Sequence, residues 1–145
     1  MSNTLGGSLH GSAWLAAAAG ALLSLAGDHA PAAPSAAVKT LMERDLPDLA
    51  GKEALMLTVE YPPGGASPPH RHDADVLVYV LAGEVIMQVA GQPARTIGPG
   101  GTFYEGPTDV HVKSANTSTT TPAKLLVFMV KDRNRPVSLP AGPAR

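Results

Sequence analysis

VLVYVLAGEVIMQVAG, residues 76–91, is the stretch on which the fold turns. It is a β-branched, apolar run broken once, at Ala82-Gly83-Glu84, where glycine can take the positive φ of a tight turn. It therefore predicts two antiparallel strands joined as a hairpin. Upstream, ALMLTVEY (54–61) alternates, with Leu55, Leu57, Val59 and Tyr61 on one face and Met56, Thr58 and Glu60 on the other, as a half-buried strand does. PPGGASPP (62–69) forces a turn. Downstream, ARTIGPGGTFYEGPTDVHV (94–112) reads as three short strands separated by Gly/Pro turns, and AKLLVFMVK (123–131) as a final apolar strand. No heptad, repeat or long amphipathic helix follows residue 38, so a helical bundle or a doubly wound α/β sheet fits poorly. The expectation is one all-β domain, a sandwich or barrel.

Composition agrees with a single core. The chain has 145 residues, 44% hydrophobic and 16% charged, with 11 basic and 12 acidic residues and a net charge of −1. No basic stripe is present to follow phosphates, which argues against nucleic acid as a partner. Cysteine is absent, removing disulfides, thiolate zinc sites and cysteine nucleophiles while leaving histidine and carboxylate chemistry open. Residues Trp14–Ala26, WLAAAAGALLSLA, form an apolar run shorter than the about 20 residues of a membrane span but suited to a signal-peptide core. Small-x-small sites follow at Ser24-Leu25-Ala26 and Ala30-Pro31-Ala32. The expected organisation is a signal peptide and Ala/Pro linker over 1–37, a β domain over 38–131 and a Pro-rich surface arm over 132–145. Periplasmic or secreted localisation follows from it. The first basic residue is Lys39, so the usual positive leader segment is missing, and a misplaced start or a buried Ala-rich helix is the competing reading.

Within the β domain, PPHRHDADVLVYVLAGE (68–84) places two histidines one residue apart. On a strand His70 and His72 point the same way, with α-carbons roughly 6.6 Å apart, so two imidazoles can converge. A metal needs a third ligand from elsewhere. His111 is the candidate, because His10 and His29 lie in the leader or linker.

These residues resemble the cupin superfamily, small jelly-roll barrels whose first motif runs G-x5-H-x-H-x3,4-E-x6-G. Gly64, His70, His72 and Gly83 stand in register with it, and PGGTFYEGPTDVHVKSAN is similar to the second motif through Pro99, Gly100 and His111. HRHDADVLVYVLAGE and TFYEGPTDVHV are similar to a group of small exported bacterial cupins. The resemblance implies a jelly-roll β-barrel, a homodimer packed through its sheets, and a divalent metal (Fe, Zn, Mn, Ni or Cu) on His70, His72 and His111. It also implies a small-molecule ligand in the barrel. The chain departs from the pattern at Val76, which occupies the glutamate-ligand slot, at Gly106 and Thr108, which replace a proline and a glycine, and at Asn116, one residue late. Asp75 faces away in regular strand geometry.

With three neutral imidazoles and no carboxylate, a divalent site would be doubly positive and would favour an anionic ligand. A three-histidine oxidoreductase of the dioxygenase type, acting on a small chelating anion, is the enzyme expectation that the resemblance supports. A non-catalytic barrel that senses or sequesters a ligand or metal is the alternative, and a metal-free structural barrel is the plain one. An H-x-H pair by itself is more often a solvated pair than a ligand set. Glu105 shares a face with Phe103. It is expected at the rim or in solvent unless that face lines the barrel, in which case it becomes a fourth ligand or a catalytic base with a pKa raised by desolvation. Val76, Val78 and Val80 are expected inside the barrel, Leu77 and Tyr79 in sheet or subunit packing, and Asp73 and Asp75 as loop charges. The NTS at 116–118 matches a glycosylation sequon, a pattern short enough to occur by chance.

Overall fold

The computed structural model describes residues 32–142. Eleven strands follow in order: β1 (Ala37–Asp45), β2 (Lys52–Tyr61), β3 (Ala66–Ser67), β4 (His70–Arg71), β5 (Ala74–Ala82), β6 (Val85–Val89), β7 (Arg95–Ile97), β8 (Thr102–Glu105), β9 (His111–Asn116), β10 (Ala123–Asp132) and β11 (Leu139–Pro140). They form two antiparallel sheets, β1-β2-β10-β5-β8 and β11-β4-β9-β6-β7, with β3 added to β9. The expected all-β jelly roll is what the chain adopts, and no helix occurs among the described residues.

Alternation builds the core. Leu55, Leu57 and Tyr61 from β2, Val76, Val78 and Val80 from β5, and Leu125, Val127 and Met129 from β10 all point inward and are buried. Val85, Met87 and Val89 close over them from β6. The hairpin expected over residues 76–91 does not form: the chain does turn at Gly83, at φ 71°, but β5 pairs with β8 and β10 in one sheet and β6 with β7 and β9 in the other, so the turn carries the chain from sheet to sheet. A Cβ there would stand 2.6 Å from the Ala123 α-carbon and the Pro122 carbonyl oxygen, so both conformation and space require glycine.

Register places chemistry that alternation alone does not. Along β9, His111 and Ser114 are both buried although three positions separate them. Their partners on β6 are Val89 and Met87, two positions apart, so β9 holds one residue more than β6 across this interval. That is a β-bulge, and it resets the alternation so that both residues face the barrel interior.

The segment after β10, expected as a surface arm, contributes more than that. Its β11 pairs with β4, Leu139 opposite Arg71 and Pro140 opposite His70, and Val137 packs on the core. At the same end of the barrel, Lys131 and Glu53 are cross-strand partners on β10 and β2, both buried and joined as an ion pair. Lys131 also donates to the Arg135 carbonyl at 2.7 Å.

Candidate metal centre

His70 sits on β4 directly opposite His111 on β9, and His72 follows one residue beyond β4. The rings of His70 and His72 lie 4.8 Å apart edge to face, and those of His70 and His111 lie 5.1 Å apart. The three histidines expected to converge are therefore brought together. Glu105 joins them: it is 3% exposed, inside the barrel rather than at the rim. One nitrogen or oxygen from each of the four lies within 4.8 Å of the others.

Glu105 is the cross-strand partner of Val76. Strand β5 offers no carboxylate at position 76, and the neighbouring strand supplies one at the same level of the barrel. A bound divalent ion would then carry a single net positive charge, not the double charge expected from three imidazoles alone. Only the turn 106–110 had hidden this, since strand phase does not carry across it.

Partners fix how the rings present themselves. His70 Nδ1 lies 2.9 Å from the Pro68 carbonyl and His72 Nδ1 lies 2.6 Å from the Val137 carbonyl. A carbonyl only accepts, so Nδ1 carries a proton in both rings, and in the neutral imidazole the lone pair is then on Nε2. This is the outer support that metal-ligating histidines ordinarily have. His111 stacks on Phe103 at 5.7 Å. Its Nδ1 is 3.1 Å from Glu105 Oε2, and His72 Nε2 is 3.6 Å from the same oxygen. Even so, Glu105 Oε2 and both His111 nitrogens are buried without a hydrogen bond. Buried polar atoms with no partner are costly, and a cation among them removes that cost. The donor set of three imidazoles and a carboxylate suits Fe, Zn, Mn, Ni and Cu alike.

Charge states agree with this arrangement. Burial, reinforced by the other two imidazoles, holds the His70 pKa below its usual 6.5 against the pull of the Pro68 carbonyl and Glu105, so the ring stays neutral. Burial pushes Glu105 upward, but His111, then His72 and His70, outweigh it and hold the carboxyl below the usual 4.5. A base with a raised pKa was the expectation for a buried Glu105; the imidazoles reverse the direction.

The cluster lines a cavity of about 240 Å³ whose walls include Leu57, Val59, Val78, Leu125 and Val127. Tyr61, Ser67 and Ser114, three residues that sequence reasoning had not assigned to the site, line it as well. Leu77 and Tyr79, expected in sheet or subunit packing, point outward and are exposed, and Asp75 accepts a hydrogen bond from the Tyr104 hydroxyl at 2.6 Å on that outer face. Asp73 is ion-paired with Arg71 and Arg135 rather than free in a loop. Asn116 is 7% exposed, and its amide group donates to the Pro62 and Thr121 carbonyls and accepts from Ser118 N–H. It stitches loops together and offers no free amide to a glycan.

Comparison with known proteins agrees with this fold. The family profile for the cupin domain matches residues 57–129, and the chain belongs to the cupin family. No curated protein sequence matches it. Among solved structures, the DMSP lyase DddQ from Ruegeria pomeroyi DSS-3 is similar at TM-score 0.54 and 25% identity, over 63% of this chain and 45% of that one. An oxalate oxidase in complex with the substrate analogue glycolate is similar at TM-score 0.56 and 25% identity, over 72% of this chain and 54% of that one. This chain thus spans about half the length of these two proteins. A cupin domain from Bordetella pertussis Tohama I shares the fold at TM-score 0.55 and 18% identity, over 70% of this chain and 98% of its own.

Proposed function

We propose that this cupin holds one divalent metal ion on His70, His72, His111 and Glu105 and uses it on a small, chelating, anionic compound, with oxidoreductase chemistry of the dioxygenase type as the leading reaction class. The observation that carries the reading is that Glu105 Oε2 and both His111 nitrogens are buried without hydrogen-bond partners, in a cluster where one donor atom from each of His70, His72, Glu105 and His111 lies within 4.8 Å of the others. A metal here would act as a Lewis acid and hold a chelating anion at its open positions. The residues around it do the rest. Pro68 and Val137 carbonyls orient two rings, Glu105 stays anionic, and the apolar walls suit the carbon skeleton of a small organic ligand. The net positive charge left after Glu105 still favours an anion. Similarity to an oxalate oxidase that takes the small hydroxy acid glycolate supports the same ligand class.

Binding without turnover is the second reading, as a sensor or sequestering barrel. One observation favours it: among the described residues lining the cavity, no acid or base besides Tyr61 remains once the four ligands are engaged. Glu105 serves then as ligand and not as catalytic base.

Elemental analysis of natively purified protein beside His111→Ala tests the metal. Near-stoichiometric metal in the first and loss in the second is the expected result; negligible metal in both overturns the site. Oxygen uptake by the iron-loaded protein with dicarbonyl, thiol and catechol compounds separates enzyme from binding module. Export and a homodimer belong to the same proposal. The Trp14–Ala26 segment, outside the described residues, supports export. The outward Leu77, Tyr79, Tyr104 and Phe128 on the β5, β8 and β10 face support a sheet-packed dimer.

A further inference from the structure

The cavity has a second polar feature. Tyr61 hydroxyl lies 2.9 Å from Ser67 Oγ and 2.6 Å from Ser114 Oγ, and Ser114 Oγ donates to Met87 Sδ at 3.8 Å. All three hydroxyl-bearing residues line the same cavity as the histidines. Ser67 pairs with Ser114 just as His70 pairs with His111, so hydroxyls and imidazoles form two levels of one sheet. The levels are three residues apart on β9 and two on β6, which at about 3.3 Å per residue is roughly 7–10 Å. Leu57, Val78, Met87 and Leu125 form apolar wall in the same cavity.

The proton inventory of the trio is tight, because each hydroxyl has one proton and two lone pairs. If Ser114 gives its proton to the Met87 sulfur, Tyr61 must give its own to Ser114, and Ser67 gives its proton to Tyr61. The thioether is a weak acceptor, so Ser114 can turn its proton to a better one at little cost. Ser67 Oγ then receives no proton from the trio and can accept one. A neutral group that both donates and accepts, such as a hydroxyl or an amide, matches this pair. A second carboxylate does not, since no Lys or Arg is among the described residues that line the cavity.

We propose that the cavity reads its ligand at both levels: the metal cluster takes a chelating anionic head, and Tyr61, Ser67 and Ser114 take a neutral hydroxyl or amide at the other end of a short aliphatic spacer. Subtracting about 2 Å for a metal–ligand bond and about 3 Å for a hydrogen bond leaves roughly 2–5 Å, a spacer of two or three atoms. This rests on the metal reading above and adds the class of ligand, a short two-ended acid.

The test uses two inert, chelating oxamates of equal size, N-(2-hydroxyethyl)oxamate and N-propyloxamate, titrated calorimetrically into the zinc-loaded full chain. The hydroxyethyl compound is expected to bind about fivefold tighter, the yield of one neutral hydrogen bond. In Ser114→Ala, and separately in Ser67→Ala, the preference should fall to near unity while N-propyloxamate affinity stays within about twofold, as expected if the ligand hydroxyl loses its partner. Either variant serves alone should the other fold poorly. Equal or tighter binding of N-propyloxamate by the unaltered protein, no binding of either compound to zinc-loaded protein, or a preference that survives the substitutions overturns the two-level reading. Zinc content measured on the same samples keeps the two claims apart. Protein that retains zinc without discriminating refutes only the hydroxyl level, and protein that takes up no zinc refutes the metal centre and this inference with it.

Discussion

Val76 and Glu105 face one another across β5 and β8, and which of the two bears the carboxylate decides only the strand from which it reaches the histidines. Glu105→Val should therefore lower zinc affinity by at least about tenfold, within the range by which metal sites respond to loss of a supporting group. Adding Val76→Glu to that variant should restore most of it. Competition titration with a zinc indicator measures both, and failure of the second substitution to recover affinity would mean that position 76 cannot reach the ion. The histidine spacing was readable because alternation puts residues two apart on one face. Glu105 was not assignable, because a Gly-Pro turn separates it from His111 and erases the phase. Asn116 was readable only as a displaced motif residue or a sequon; its buried, fully used amide becomes visible once the loops it joins are in place.

At the scale of elements, the turn that carries the chain from β5 in one sheet to β6 in the other depends on Gly83, whose φ and surroundings both exclude a side chain. Gly83→Ala should cost on the order of 2 kcal/mol or more, from the left-handed backbone together with the clash against the start of β10. Urea unfolding measures it, and a loss under a few tenths of a kcal/mol would contradict the geometry. Strands β2 and β10 end in the buried Lys131–Glu53 pair, which periodicity did not single out because a charged residue at an inward position looks like a strand terminus. Lys131→Met should destabilise by about 3–5 kcal/mol because it leaves Glu53 uncompensated. Adding Glu53→Leu should recover much of that loss. If the double variant is no more stable than Lys131→Met, the pair does not account for the cost. The bulge in β9 is the other element-level device. It turns Ser114 into the same cavity as His111, which strict alternation from residue 111 would have forbidden.

On the scale of the molecule, the C-terminal segment closes over the centre: Val137 carbonyl holds the His72 ring and β11 covers β4. A chain ending at Arg135 keeps the Lys131 contacts but loses this support, so its zinc affinity should drop about 10–100-fold while the core remains folded. Circular dichroism beside zinc titration checks both halves, and unchanged affinity would show that the arm does not orient His72. The sequence by itself determined the β class, the major strands with their inward faces, the turn at Gly83 and the three histidines, because a two-residue period and the demands of turns are local properties of the chain. Tertiary structure alone decided that Glu105 completes the cluster, that Tyr61, Ser67 and Ser114 share its cavity, and that the Pro-rich end becomes part of a sheet. Those outcomes depend on register between distant strands and on one bulge, and inter-strand register is a non-local quantity that no single segment encodes.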